Sequence, residues 1–276
     1  PPCRRLPTAM LRTRVITALV LVAGLAIVFF ALPPPAPSVL FATIAALAGW
    51  EWAGLMRQDG PARVMYGGVL VLFCWQISAN AAGLVPLLLG LSVAFWLLVV
   101  PLWLWRKWTL AGNDAFGYAM GALVILPTWA AMEALFASGV WFLLAAMALV
   151  WVADIAAYFA GRAFGRHKLA PTISPGKTWE GVAGAVAGVL AYGTVLIAAT
   201  PLGARLSFSL PVLAALLLLL TAVSVMGDLF ESLLKRQAGI KDSSGLLPGH
   251  GGVLDRIDAL TSTLPLAALV LYLVRP

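Results

Sequence analysis

Cysteine, histidine and charged side chains are all scarce in this sequence. The 276 residues include two cysteines, two histidines and 11% charged residues. Cys3 and Cys74 are far apart and do not indicate a disulfide framework, and this few histidines and cysteines exclude a zinc site. With 62% hydrophobic residues and a mean hydropathy of +0.98, the chain has too few polar groups to cover a water-soluble globule. We therefore expect it to lie in a lipid bilayer.

Acidic residues are fewer than basic ones. Eighteen lysines and arginines against 11 acids give a net charge of +7. The sequence has no basic arm and no basic face interleaved with aromatic residues, so we expect no nucleic-acid partner. In a membrane protein, the placement of the positive charges is more informative than their sum.

Apolar runs of about 20 residues, the length needed to cross a bilayer as a helix, recur along the whole chain. They predict an all-α, polytopic integral membrane protein that forms one membrane domain over residues 1–276, with N-terminal helices in residues 1–110. The nine predicted spans are residues 13–32, 36–56, 64–80, 84–105, 115–136, 139–160, 179–200, 210–234 and 257–275.

The basic residues predict the orientation of these spans, because cytoplasmic loops of membrane proteins are enriched in lysine and arginine. With the N-terminus in the cytoplasm and the C-terminus outside, all but Arg205 and Arg275 of the 18 basic residues fall on the cytoplasmic side. Two cytoplasmic loops, 161–178 and 235–256, are long and polar. We expect the functional site there.

The eighth span ends in a polar stripe. Asp228, Glu231, Ser232 and Lys235 are spaced i, i+3, i+4 and i+7, so they share one face of a helix. Asp228 follows the apolar run LLLLLTAVSVMG, and an ionisable group at membrane depth indicates function. For Lys235 and the adjacent arginine, the alternative is a helix end whose side chains reach lipid headgroups.

The loop that follows is rich in glycine and basic residues. The segment GLLPGHGG lets backbone N–H groups approach an anion, and the nearby cations supply countercharge. The alternative is a flexible basic loop that contacts headgroups. Asp255 could be the N-cap of the last helix, although capping leaves Asp258, three residues later, without a role.

The other long loop contains SPGKTWEG, residues 174–181. Its GKT resembles the end of a phosphate-binding P-loop, but Pro171 stands where that motif needs glycine, and no buried strand precedes it. Ser174, Lys177 and Thr178 nevertheless come just before a helix start, where free N–H groups favour phosphate. The alternative is a capped helix start, with Thr178 as the N-cap.

Three further acids lie within apolar spans. Asp154 shares a helix face with Tyr158 and Arg162, so an ion pair inside the bundle explains it as well as catalysis does. Glu51, in GWEWAGL, could tie helices together, and Glu133 is expected to be interfacial. Acids beside cations at one membrane face together suggest a Mg²⁺ site that handles phosphates.

One long segment resembles a known family. SLLKRQAGIKDSSGLLPGHGGVLDRID, from Ser232 to Asp258, resembles the signature of phosphatidate cytidylyltransferases, also called CDP-diacylglycerol synthases. SPGKTWEG and DIAAYFAGRAFGRHKL are similar to two further elements of that family. The resemblance covers about residues 150–260, the expected catalytic region, whereas residues 1–110 agree only in hydropathy.

The resemblance implies transfer of CMP from CTP to phosphatidic acid, giving CDP-diacylglycerol and pyrophosphate for phospholipid biosynthesis. It further implies Mg²⁺ dependence, with or without a second cation, and a site on the cytoplasmic side of a bacterial inner membrane. The implied catalytic residues are Asp228, Asp255, Lys235, Lys241 and Asp258. Asp228 and Asp255 would be metal ligands, supported by Asp154 and Glu231. The substrate- or phosphate-binding residues would be Ser174, Lys177, Thr178, Ser232, Arg236, His250, Gly251, Gly252 and Arg256.

Two other functions remain open from the sequence. A CTP-dependent lipid kinase would direct the same polar groups at the γ-phosphate of CTP. A secondary transporter would also bury charges among many spans, but it is expected to carry paired broken helices near the bilayer midplane. The expected partners are CTP, phosphatidic acid and membrane lipids, and the oligomeric state is left open between monomer and homodimer.

Overall fold

The computed structural model describes residues 8–110, 112–202 and 208–274. Cys3, Arg205 and Arg275 lie outside these residues. The described α-helices are α1 (Thr8–Phe30), α2 (Pro35–Leu55), α3 (Gly60–Asn80), α4 (Val85–Ala94), α5 (Val100–Arg106), α6 (Asp114–Ala137), α7 (Val140–Phe164), α8 (Trp179–Ala199), α9 (Leu210–Ala238) and α10 (Leu254–Val274).

Each predicted span corresponds to a helical segment whose ends differ from the prediction by a few residues. The span predicted at 84–105 is a continuous segment, Ala82–Arg106, in which a π-helical turn, Phe95–Val99, joins α4 to α5. Pro101 follows this turn and has no N–H to donate to the preceding turn, which explains the local change in helix geometry. Eight segments are long and apolar enough to cross a membrane, and the described apolar part of α1, Val15–Phe30, is shorter. The chain is a polytopic, all-α membrane protein.

The loop between α7 and α8 contains a small β-hairpin that the sequence did not predict. Strand β1 (Lys168–Ala170) pairs with β2 (Ser174–Thr178) in antiparallel register, with Lys168 opposite Thr178. A strand therefore does precede α8, although it is short and belongs to a two-stranded hairpin.

Small residues bring α7 and α8 into close contact. A side chain at Gly184 would collide with Ala160, and one at Gly188 would collide with Ala156. Helices in membranes associate through such close backbone approach, because lipid provides little hydrophobic driving force. This packing fixes the two helices that flank the hairpin.

An aromatic cluster around Phe230 fixes α9. Its ring centroid lies 6.4 Å from that of Trp52, 5.8 Å from Phe95, 5.5 Å from Trp96 and 5.4 Å from Trp103. The five side chains are buried and come from α2, the π-helical turn, α5 and α9. The cluster therefore determines the position of the polar stripe on the same helix.

The ends of α2, α5 and α9 meet at one end of the bundle, here called the loop end. Arg57 Nη2, just after α2, donates to the carbonyl of Gln237 at 3.3 Å. Gln237 Nε2 donates in turn to the carbonyl of Lys107, which follows α5, at 3.0 Å. These contacts place three predicted cytoplasmic connections on one side of the molecule, as the distribution of basic residues indicated.

We expect Phe230→Ala to destabilise the protein by about 3–5 kcal/mol, because it removes a large buried ring from a packed cluster. Thermal unfolding in detergent measures the effect. Phe159→Ala on α7 is the matched control: its ring is 65% exposed in the bundle, on a lipid-facing surface, so its melting temperature should stay close to that of the unsubstituted protein. Equal melting temperatures for the two variants would contradict a role for the cluster in positioning α9.

Candidate active site

The β-hairpin is anchored to the start of α8. Thr178 is the N-cap of this helix, and its Oγ1 accepts a hydrogen bond from the Gly181 N–H at 3.1 Å. Glu180 Oε1 lies 2.7 Å from His167 Nδ1, which ties the helix back to the residue before β1. The N-cap interpretation of Thr178 is confirmed, and the hairpin places Lys177 one residue before the cap.

The polar stripe on α9 is confirmed, and it contacts the hairpin. Lys177 Nζ lies 2.6 Å from Asp228 Oδ2, and Ser232 Oγ donates to Asp228 Oδ1 at 3.2 Å. The two polar loops predicted from the sequence therefore lie at the same end of the bundle. Asp228 joins the first of these loops to α9, the helix that leads into the second.

A cavity of about 490 Å³ with both polar and apolar lining residues, here called the hairpin cavity, opens beside this ion pair between α7, α8 and α9. Its side wall on α7 includes Asp154 and Tyr158. Arg162 Nη1 donates to the Tyr158 hydroxyl at 3.0 Å, and Asp154 has no salt bridge within the described ranges. The expected alternative of a structural ion pair for Asp154 is therefore not supported. The predicted site residues that line this cavity are Asp154, Ser174, Lys177, Thr178 and Asp228.

A buried ion cluster lies further along α9. Lys235 Nζ is 2.6 Å from Asp255 Oδ1 and 3.3 Å from Glu231 Oε1, and all three side chains are buried. Neither oxygen of Glu231 accepts a hydrogen bond from any described residue. Charges removed from water this far need close partners, so Lys235 compensates the two acids and joins α9 to the start of α10.

Asp255 organises the loop before α10. Its Oδ2 accepts from the Ser243 N–H at 2.8 Å, the Ser243 hydroxyl at 2.9 Å and the Gly252 N–H at 2.7 Å. Gly251 has a φ of +82°, and a Cβ there would come 2.6 Å from the same oxygen. Glycine is required at position 251 both for the backbone conformation and for the approach of the carboxylate.

A second cavity of about 620 Å³, here called the loop cavity, is enclosed by the glycine-rich segment. The His250 N–H donates to the Leu247 carbonyl at 2.8 Å, and the Leu247 N–H donates to the Gly251 carbonyl at 2.8 Å, so the segment closes into a tight turn. His250 Nδ1 is buried and has no hydrogen-bond partner in the described structure. The predicted site residues that line this cavity are Lys241, His250, Gly251 and Arg256.

The remaining predicted residues line neither cavity. Arg236 Nη1 is 3.5 Å from the Ile240 carbonyl, within the last turn of α9 and the residues after it. Asp258 Oδ1 accepts from the Ala259 N–H at 2.7 Å. A Cβ at Gly252 would collide with Ser243 Oγ and Glu51 Oε1, so this glycine makes room for protein side chains.

The carboxylates of the site can be compared with the ligands that Mg²⁺ takes in proteins. Within the described ranges, no group of three or more His, Cys, Asp or Glu side chains is placed to hold a metal ion. Mg²⁺ in phosphate-handling sites, however, usually takes one or two carboxylates and completes its shell with phosphate oxygens and water. Asp228 and Asp154, which face the same cavity, fit that pattern. Asp255 fits less well, because its two oxygens meet four protein donor contacts, whereas each oxygen of Asp228 meets one, from Lys177 or Ser232.

Glu51 on α2 contacts the loop that forms the site, although no sequence motif included this residue. Its carboxylate contacts the loop before α10 from the opposite side to Asp255, with Ser243 Oγ 2.9 Å from Oε2 and Ser244 Oγ 2.6 Å from Oε1. The expectation that Glu51 ties elements together is confirmed. The one signal in the sequence was an acid near the end of an apolar span. Glu133 accepts from the Ser38 hydroxyl at 3.0 Å, between α2 and α6.

Comparisons with known proteins agree with this arrangement. The model of the Cytidylyltransferase family matches residues 12–274. The phosphatidate cytidylyltransferase of Pseudomonas aeruginosa is 41% identical over 281 aligned positions, which cover 95% of this chain and 97% of that protein. That of Haemophilus influenzae is 35% identical, covering 93% and 96%. That of Brucella suis is 55% identical over 126 positions, which cover 46% of this chain and 43% of that protein. The chain belongs to the cytidylyltransferase family.

Proposed function

We propose that this protein transfers CMP from CTP to phosphatidic acid, giving CDP-diacylglycerol and pyrophosphate. The observation that carries the proposal is the match, over almost the full length of both chains, to relatives named phosphatidate cytidylyltransferase. It is supported by two cavities at the loop end of a membrane bundle, each lined in part by cationic side chains. Two cavities suit a reaction that joins a lipid phosphate to a nucleotide.

The chemistry needs no strong general base. A phosphate oxygen of phosphatidic acid, ionised at neutral pH, attacks the α-phosphorus of CTP. The bond between that phosphorus and the oxygen bridging to the β-phosphate breaks, and pyrophosphate leaves. The barrier comes mainly from bringing two polyanions together, so positioning and charge neutralisation supply the catalysis. Lys177, Lys241 and Arg256 line the cavities and are the groups that neutralise phosphate charge.

The two cavities differ in their surroundings, and this difference supports a separate role for each substrate. The hairpin cavity lies between membrane helices, and Tyr158 on its wall is 58% exposed on the lipid-facing surface. It is suited to a lipid phosphate whose acyl tails stay in the bilayer and reach the site between helices. The loop cavity is formed by Lys241, His250, Arg256 and a glycine-rich backbone, and is suited to the phosphates and base of CTP.

Mg²⁺ would be held by Asp228, with Asp154 as the second carboxylate, at the wall of the hairpin cavity. When bound, the ion neutralises phosphate charge beyond what the lysines and arginines supply. Asp255 and Lys235 instead hold the loop and α9 together, so their contribution to catalysis is the shape of the site.

The proposed location is a bacterial cytoplasmic membrane, with both cavities on the cytoplasmic side, where CTP is made. The concentration of basic residues in the predicted cytoplasmic segments supports this orientation.

Labelled CTP tests the reaction type. With purified protein, phosphatidic acid and Mg²⁺, label in the α-phosphate of CTP should enter the lipid, and label in the γ-phosphate should leave as pyrophosphate. A CTP-dependent lipid kinase would give the opposite distribution, because it transfers the γ-phosphate. Transfer of γ-label to lipid would therefore replace the proposed function with the kinase alternative.

Asp228→Asn should lower kcat by at least about 100-fold, the scale of removing one charged group that acts on the reacting phosphates. The substitution keeps the size of the side chain and its bond to Ser232, so the circular dichroism spectrum should not change. Asp114→Asn, an exposed acid in the first turn of α6 at the same end, is the control and should retain full activity. Near-normal turnover by Asp228→Asn would remove this carboxylate from the site.

Removal of divalent cations with a chelator tests whether turnover depends on Mg²⁺. Treatment with EDTA should stop turnover, and added Mg²⁺ should restore it. Asp154→Asn should raise the Mg²⁺ concentration for half-maximal rate by about 10-fold, the usual effect of weakening a metal's protein environment. An unchanged Mg²⁺ dependence in Asp154→Asn would exclude Asp154 as a ligand.

A further inference from the structure

Glu51 lies one turn before the end of α2, and none of its side chain is exposed. We propose that Glu51 is a positioning residue for the nucleotide site: its carboxylate holds both ends of the segment 243–254 together and so fixes the shape of the loop cavity. Glu51 does not line either cavity, so it acts through the loop and does not contact the substrate.

Each oxygen of Glu51 receives one hydroxyl and one backbone N–H. Oε1 accepts from Ser244 Oγ at 2.6 Å and from the Val253 N–H at 2.9 Å. Oε2 accepts from Ser243 Oγ at 2.9 Å and from the Leu254 N–H at 2.6 Å. The serines come before the glycine-rich turn and the two N–H groups come after it. One side chain from a distant helix therefore joins the two ends of the loop.

The charge of Glu51 is met by hydrogen-bond donors and not by a cation. None of the salt bridges among the described residues includes it. The Leu254 N–H opens α10, and the free N–H groups at a helix start carry partial positive charge that stabilises an anion. Glu51 thus serves α10 in the way an N-cap residue does, but from another helix.

The segment held in this way includes most of the wall of the loop cavity. Gly245, Leu247, Gly249, His250 and Gly251 lie between the two serines and the two N–H groups. Ser243 Oγ is 2.9 Å from Asp255 Oδ2 as well as from Glu51 Oε2, so both buried carboxylates contact the loop at this serine and share its one hydroxyl proton. If Glu51 loses its hold, the segment keeps the contacts made by Asp255 and the hydrogen bonds within its own turn, but loses its connection to α2.

Replacing Glu51 with glutamine changes the charge and the hydrogen-bonding pattern of the side chain but keeps its size. Its amide keeps one accepting oxygen and replaces the other with an NH₂ group that only donates. The serine hydroxyls can rotate to suit the new group, whereas the N–H of Val253 or Leu254 cannot. One buried backbone donor would therefore face another donor, and the loop would shift away from α2.

Hydrogen exchange tests whether Glu51 holds the segment 243–254, and the measurement does not depend on any enzymatic activity. In Glu51→Gln, backbone amides of the peptide covering 243–254 should exchange at least about tenfold faster, equivalent to roughly 1.4 kcal/mol, while α7 and α8 exchange as before. Glu133→Gln is the matched control: it alters another acid on a membrane helix that is bonded to a single serine, and should leave this peptide unchanged. Faster exchange throughout the helices would indicate a purely structural role and overturn the proposal.

Titration calorimetry with Mg²⁺ present measures CTP binding by the same proteins. It tests whether the shape of the loop cavity determines the affinity for CTP. This measurement rests on the proposed function. Glu51→Gln should bind CTP about tenfold more weakly, and Glu133→Gln should bind it normally. If the unsubstituted protein does not bind CTP, the proposed function fails, and the exchange data still decide whether Glu51 holds the loop. Unaltered CTP affinity in Glu51→Gln, where the unsubstituted protein binds CTP, would overturn the positioning role.

Ser244→Ala provides a second variant if Glu51→Gln does not fold. It removes one of the four donors to Glu51, together with the acceptor of the exposed Leu246 N–H, and leaves both backbone bonds to Glu51 in place. Exchange in residues 243–254 should rise by about threefold, as expected for loss of a single hydrogen bond. No rise would show that Glu51 does not hold this segment. A rise as large as in Glu51→Gln would contradict the dominant role of the backbone bonds.

Discussion

Two buried carboxylates, Glu51 and Asp255, make it possible for a glycine-rich loop to enter the end of a membrane bundle. A loop without regular secondary structure leaves many N–H groups unpaired, and lipid cannot satisfy them. Here the N–H groups of Ser243 and Gly252 donate to Asp255, and those of Val253 and Leu254 donate to Glu51. The loop gains a defined shape, and its outer surface remains available to a ligand.

Helix α9 links this loop to the rest of the protein through successive turns. Asp228 contacts the hairpin, Lys235 contacts the start of α10, and Gln237 contacts the end of α5. Between them, Phe230 is fixed in the aromatic cluster formed with α2, the π-helical turn and α5. The polar and aromatic contacts alternate along one helix, which lines the hairpin cavity at Asp228 and is joined through Lys235 to the start of α10, where Arg256 lines the loop cavity.

Much of this could be predicted from local sequence pattern. Span lengths, the stripe from Asp228 to Lys235 and the cap at Thr178 all depend on residues within a few turns of each other, and all were found. The hairpin was missed, because strands of three and five residues leave almost no periodic signal. The division into two cavities and the saturation of Asp255 depend on which donors meet in space. Glu51 and its loop partners are separated by about 200 residues, and hydropathy carries no information about such pairs.

The position of Glu51 on α2 has a consequence for biosynthesis. The carboxylate oxygens of Glu51 leave the ribosome some 200 residues before the Val253 and Leu254 N–H groups that donate to them. Until then the acid has no loop to hold, and α9 and α10 must pack beside helices that are already in the bilayer. The loop cavity therefore takes its shape only after α9 and α10 have been inserted, and a nascent chain that ends before them lacks this cavity.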